Sequence, residues 1–128
     1  RKLKRSAQAL SLLWAQKPDG SVWLEKRPST GIWGGLYCLP VFDSDEALHV
    51  ALSDGLNRRL QALPHFVHVL THKDLHLVPW RVDFEVNQPE TDAMVKKSGS
   101  GAWFSQTVWP SLGLPAPIRK LLAQQALA

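Results

Sequence analysis

Residues 75–86 alternate with a period of two: Val78, Trp80, Val82, Phe84 and Val86 fall on one face, and Arg81, Asp83 and Glu85 on the other. That pattern predicts a half-buried strand, with one side on a core and one in water. Just before it, His65-Phe66-Val67-His68-Val69-Leu70-Thr71-His72 is a second β-rich run, ending in a polar pair and followed by Lys73-Asp74. Together the two runs predict strand, tight turn, strand, with Thr71 and His72 at the tip. A hydroxyl, an imidazole and the Lys73 ammonium placed there can touch a partner while the sheet holds them still.

The remaining pattern supplies a frame for that hairpin. Residues 7–16 form a continuous apolar run, as in a buried strand, and Lys17-Pro18-Asp19-Gly20 is turn chemistry. Residues 21–27 alternate, Val22 and Leu24 opposite Trp23 and Glu25, which completes a first hairpin. In residues 31–40, Gly34 and Gly35 follow Trp33. Such a pair serves either close approach of backbone to a ligand or packing against a neighbouring strand. Asp43-Ser44-Asp45-Glu46 reads as a helix start with Asp43 as N-cap and Glu46 completing a capping box. Leu48, Leu52, Leu56 and Leu60 then repeat every four residues, with Gly55 predicting a stop near Ser53. Residues 87–101 read as a polar surface loop, and Ala102-Trp103-Phe104 as a short strand. Pro115-Ala116-Pro117 opens a last helix whose inner stripe is Ile118, Leu121, Leu122 and Gln125. The predicted class is α+β: one mostly antiparallel or mixed sheet with about two helices packed on it.

Charge changes this picture less than its total suggests. The formal charge is +4, but Arg1, Lys2, Lys4 and Arg5 account for all of it. Without those four, Lys and Arg number 11, equal to the 11 Asp and Glu. The basic character therefore belongs to residues 1–6, a linker stub that either sits near phosphates or is simply solvated, and residues 7–128 form one neutral domain. The missing initiator Met suggests a piece of a larger protein. No apolar run approaches the roughly 18 residues of a membrane helix, so no membrane partner is expected, and no signal peptide is visible. The lone Cys38 excludes a disulfide framework and any cysteine zinc or iron–sulfur site built from this chain. Within Leu36-Tyr37-Cys38-Leu39 it reads as a small buried residue, and a reducing cytoplasm fits.

Candidate chemistry is sparse. His68, His72 and His76 are four apart, but four residues of strand span roughly 13 Å, while a zinc ligand lies about 2 Å from its metal. Only a turn at Lys73-Asp74 would bring them closer. Structural roles are the expectation for His65, His68 and His76, and no metal site is assigned. There is no nucleophile elbow, P-loop or G-x-G-x-x-G, and capping explains Asp43, Asp45 and Glu46. No catalytic residue is assigned.

Three stretches, in order, resemble one known domain. Glu25-Lys26-Arg27-Pro28 through Gly31-Ile32-Trp33-Gly34-Gly35-Leu36 to Leu39-Pro40 resembles the start of the C-terminal domain of the MutY family of adenine DNA glycosylases. His68-Val69-Leu70-Thr71-His72 is similar to that domain's His-x-Phe-Ser-His segment, and Gly113-Leu114-Pro115-Ala116-Pro117-Ile118-Arg119-Lys120-Leu121-Leu122 to its closing helix. The resemblance implies a Nudix-like fold without Nudix chemistry. The hydrolase motif wants Glu six positions after Gly35, where Val41 stands, and a Glu-Glu pair on the next helix, which has only Glu46. Those carboxylates hold magnesium in the hydrolases.

The resemblance further implies a reader of 8-oxoguanine within a repair enzyme. The catalytic Glu and Asp, the helix–hairpin–helix and the iron–sulfur cluster belong in the family to an N-terminal domain, into whose pocket the mispaired adenine flips. The implied partners are that domain and duplex DNA with an adenine:8-oxoguanine mispair. The implied setting is the bacterial cytoplasm, at the nucleoid. The implied lesion contacts are Thr71, His72, Leu70 and Lys73. Oxidation turns guanine N7 from acceptor to N–H donor, and a hydroxyl can accept from it; otherwise Thr71 bonds its own sheet. Thr71 replaces the family's Ser and keeps the hydroxyl; Leu70 replaces Phe and removes an aromatic ring. His72 could donate to a phosphate or base edge, and Lys73 to a phosphate. Two rival classes stand beside this reading: a Nudix-type hydrolase of oxidised nucleotides working through Glu46, and a protein-interaction module that docks a repair partner on exposed tryptophans.

Overall fold

The computed structural model describes residues 6–85 and 101–126. The apolar run forms β1 (Ser6–Gln16), turns through Pro18-Asp19-Gly20 and returns as β2 (Val22–Lys26). Asp19 fastens this turn by accepting from the Ser21 N–H at 2.8 Å, and Gly20 takes φ +89°. Two-residue strands β3 (Tyr37–Cys38) and β4 (Val41–Phe42) follow, then helices α1 (Asp45–Ala51) and α2 (Asp54–Arg59), the short β5 (Gln61–Ala62), and the hairpin of β6 (Phe66–Val69) and β7 (Lys73–Asp83). The chain closes with β8 (Gly101–Phe104), a 3₁₀ turn (Trp109–Ser111) and α3 (Ala116–Ala126).

Among the described residues one mixed sheet contains all eight strands, in the order β3-β2-β1-β7-β5, with β4 added to β1, β6 to β7 and β8 to β2. Its spine is a parallel ladder between β1 and β7, from Ser6 opposite Lys73 to Gln16 opposite Asp83. Alternation along β1 explains its unbroken apolar run. Leu10, Leu12 and Trp14 enter one core with Leu75, Leu77, Ile118 and Leu122, while Leu13 and Ala15 enter a second with Val82, Leu48 and Leu56. Helices therefore cover both faces: α1 and α2 on one, α3 on the other.

That layering corrects the half-buried reading of residues 75–86. Val82 and Phe84 are buried as expected and Trp80 packs beside them, but the opposite face holds buried Leu75, Leu77 and Pro79. Arg81 does not point into water either; its guanidinium lies 4.7 Å from the Trp14 ring centroid. Val86 lies outside the described residues, as do residues 87–100 of the surface loop; Gly101 already belongs to β8.

Among the described residues three helices form instead of about two, because the leucine stripe is broken where sequence placed the break. Ser53 accepts from the Leu56 N–H and starts α2 as its N-cap. The first cap is Ser44, not Asp43: its hydroxyl accepts from the Ala47 N–H at 3.1 Å. Asp45 is thereby freed to join α1 to both spine strands, accepting from Ser11 Oγ at 2.6 Å and Trp80 Nε1 at 2.9 Å. Cys38 is fully buried, and loss of hydration pushes its thiol up to about 12.

The Ser11 hydrogen bond, and after it the one from Trp80, lowers the Asp45 carboxyl below its ordinary value against the opposing cost of burial. A depressed pKa contributes stability that is complete above the unfolded value of 3.8 and is lost as pH falls through the lower folded one. Asp45→Asn should therefore destabilise the chain at pH 7 by about 1 kcal/mol, with solvent screening included. In urea titrations the gap to wild type should hold at pH 7 and shrink at about pH 3.

Candidate lesion-reading tip

The β6–β7 hairpin turns in two residues. The Leu70 N–H donates to the Lys73 carbonyl at 2.8 Å, and Val69 sits opposite Asp74, so Thr71 and His72 occupy the tip. Both are exposed. Leu70 differs in kind: half-buried, it packs against the core under α3, so its side chain serves as an anchor for the turn.

The spine ladder holds the tip in place. The Ser6 N–H donates to the His72 carbonyl at 3.1 Å, with the Ser6 hydroxyl at 3.5 Å from the same oxygen. Two rungs along β1, Gln8 Oε1 accepts from Lys73 Nζ at 3.1 Å. That bond uses one of three ammonium protons and fixes the charge beside the turn. Gln8 was not signalled by sequence, because its relation to Lys73 exists only through the parallel pairing. A hydroxyl, an imidazole and an ammonium group are thus presented together on a braced two-residue turn.

The other sequence candidates fall elsewhere. Gly34 does approach backbone closely, but within its own loop: a Cβ there would lie 2.6 Å from the Ser29 carbonyl oxygen. Gly31, Trp33 and Gly35 all take positive φ in the same loop. His65 and His76 are exposed and His68 is half-buried, so none is a fully buried core histidine. Among the described residues, no three His, Cys, Asp or Glu side chains gather where they could hold a metal ion. Val41, standing where a hydrolase would place a carboxylate, pairs with Leu12 and packs on the core. Glu46 is exposed in the first turn of α1. Exposed tryptophans are not found: Trp14, Trp23 and Trp109 are buried, and Trp33, Trp80 and Trp103 pack against the cores.

Comparison with known proteins agrees with this architecture. The sequence model of the NUDIX domain matches residues 11–124. The chain belongs to the NUDIX domain family. The chain is also 27% identical over 109 residues to the adenine DNA glycosylase of Buchnera aphidicola subsp. Schizaphis graminum, covering 83% of this chain and 30% of that protein. The chain thus spans about a third of the length of the curated relatives it matches. The C-terminal domain of mouse MUTYH, solved in complex with human PCNA, superposes with a TM-score of 0.66 at 15% identity, over 93% of this chain and 88% of that one. Shewanella oneidensis NrtR, solved with a 27mer DNA, gives a TM-score of 0.64 at 16% identity over 93% of this chain and 60% of that one. The chain is thus similar in sequence to part of adenine DNA glycosylases and in fold to the C-terminal domain of mouse MUTYH. Among the described residues, no helix is long and apolar enough to cross a membrane.

Leu70→Ala should lower stability by about 1–2 kcal/mol, since a half-buried leucine is lost from the core, while His72→Ala should change it by less than about 0.5 kcal/mol. Urea denaturation of the two variants checks the assignment of Leu70 as anchor and His72 as presented group.

Proposed function

We propose that the chain is the lesion-reading domain of an A/G-specific adenine DNA glycosylase, in which the β6–β7 tip contacts 8-oxoguanine opposite the adenine to be removed. The observation that carries this reading is the exposed Thr71-His72 turn, braced from β1, in a domain similar to part of such glycosylases. The Thr71 hydroxyl accepts from the N7–H that only the oxidised base has, and can donate at the same time. His72 contacts a base edge or phosphate, and Lys73, steadied by Gln8, a neighbouring phosphate. Leu70 supports the turn from below.

Excision belongs, in this proposal, to a separate N-terminal domain that carries the catalytic carboxylates and the iron–sulfur cluster and acts on the same duplex in the bacterial cytoplasm. Hydrolysis of oxidised nucleotides is the weaker reading. Asp45 is committed to Ser11 and Trp80, and among the described residues no three His, Cys, Asp or Glu side chains gather near Glu46 to make the carboxylate cage that magnesium needs.

In the glycosylase that carries this domain, Thr71→Ala should lower the preference for adenine opposite 8-oxoguanine over adenine opposite guanine by roughly tenfold, the size of one groove hydrogen bond. The kcat/KM ratio for the two duplexes measures it, and an unchanged ratio would remove the proposed role of Thr71. The 128-residue chain alone should neither release adenine from duplex DNA nor hydrolyse 8-oxo-dGTP with magnesium; magnesium-dependent pyrophosphate release would favour the hydrolase.

A further inference from the structure

A groove of about 450 Å³ runs between the start of β6 and the outer side of α3, apart from the tip, whose Thr71 and His72 do not line it. On one wall it follows the chain without a break from Pro64 to His68; on the other it follows Ala116, Pro117, Lys120, Leu121 and Gln124, one side of the helix. The walls match in length: four strand steps are roughly 13 Å, and eight helical rises roughly 12 Å. About four residues of extended chain fit between them.

The strand wall is a free sheet edge. Among the described residues, β6 pairs only with β7. Because Leu70 and Lys73 close the hairpin, the alternation of an antiparallel ladder gives His68 and Phe66 to β7 and turns the N–H and C=O of Val67 and Val69 outward. The side chains of these two valines lie on the opposite face, 50% and 65% exposed. Val67 therefore lines the groove with its backbone.

The floor is apolar: Pro117 and Leu121 are buried and Phe66 packs on the core. The rim carries the Lys120 ammonium and the imidazoles of His65 and His68, and among the described residues no carboxylate lines the groove. We propose that this groove binds an extended acidic peptide, which adds a strand to β6. The side chains it turns inward are two residues apart: an apolar one on Phe66, Pro117 and Leu121, and a carboxylate at Lys120. The outward N–H and C=O of Val67 beside an apolar floor suit a peptide backbone. Duplex phosphates call for several cations on a broad face, and this groove offers one permanent charge.

The test is fluorescence anisotropy of the whole 128-residue chain with labelled octapeptides carrying Leu-Ser-Glu, or Leu-Ser-Lys, at their centre. The glutamate peptide should bind, and the lysine peptide at least roughly tenfold more weakly. Lys120 is exposed, so Lys120→Glu leaves the fold intact and should reverse that preference. Val67→Pro removes an outward N–H without touching the ladder to β7 and should weaken the glutamate peptide roughly tenfold. Whether or not that second variant folds, the Lys120→Glu comparison decides. No binding of either peptide at millimolar concentration, equal binding of both, or displacement of the glutamate peptide by 8-oxo-dGMP or a duplex oligonucleotide would overturn the proposal.

Discussion

The parallel pairing of β1 with β7 is the contact on which the rest of the architecture depends. It places two long strands side by side with both faces covered, so each must be apolar on both sides where helices lie over it. It also sets the position of the β6–β7 turn. Ser6 opposite Lys73 puts the beginning of β1 against the His72 carbonyl, and Gln8 within reach of the Lys73 ammonium. A slip of one residue would turn one strand inside out relative to the other and detach the tip from its support. The β6–β7 turn is therefore braced because the sheet's longest ladder ends beside it.

The same ladder explains two residues that look misplaced. Asp45, at the start of a helix, is tied to Ser11 on β1 and Trp80 on β7, so α1 is fixed across both spine strands at once. Pro79 lies inside β7, where proline is unusual. On the edge away from β1, β6 pairs with residues 74–77 and β5 with residues 80–81, and Pro79 falls in the gap between them. The gap also lets β6 leave the sheet short, and among the described residues its edge beside α3 has no strand partner.

Short-range chemistry was readable from the chain, and long-range pairing was not. The turn at Pro18-Asp19-Gly20, the break before α2 and the Thr71-His72 tip all follow from local signals, and the structure contains each. The N-cap moved by one residue because Ser44 and Asp43 are both good caps, and only the tertiary pull of Ser11 and Trp80 on Asp45 selects between them. The outer face of β7 was misread only from Leu75 to Arg81, where leucines are buried and the arginine lies over Trp14; Asp83 and Glu85 are exposed as the alternation predicts. Leu70 was grouped with the contact residues by its place in the segment, although its burial makes it a support. Gln8 had no signal at all, since its role arises from a partner 65 positions away.

The central claim is that the braced tip senses oxidation of a purine. Its most direct test is amide chemical-shift mapping of the 128-residue chain with two short duplexes that differ only in 8-oxoguanine or guanine opposite adenine. The account predicts that the oxidised duplex selectively moves Thr71, His72 and Lys73, with Ala116 and Lys120 unmoved. Identical shifts with both duplexes, or shifts confined to residues away from the turn, would contradict it.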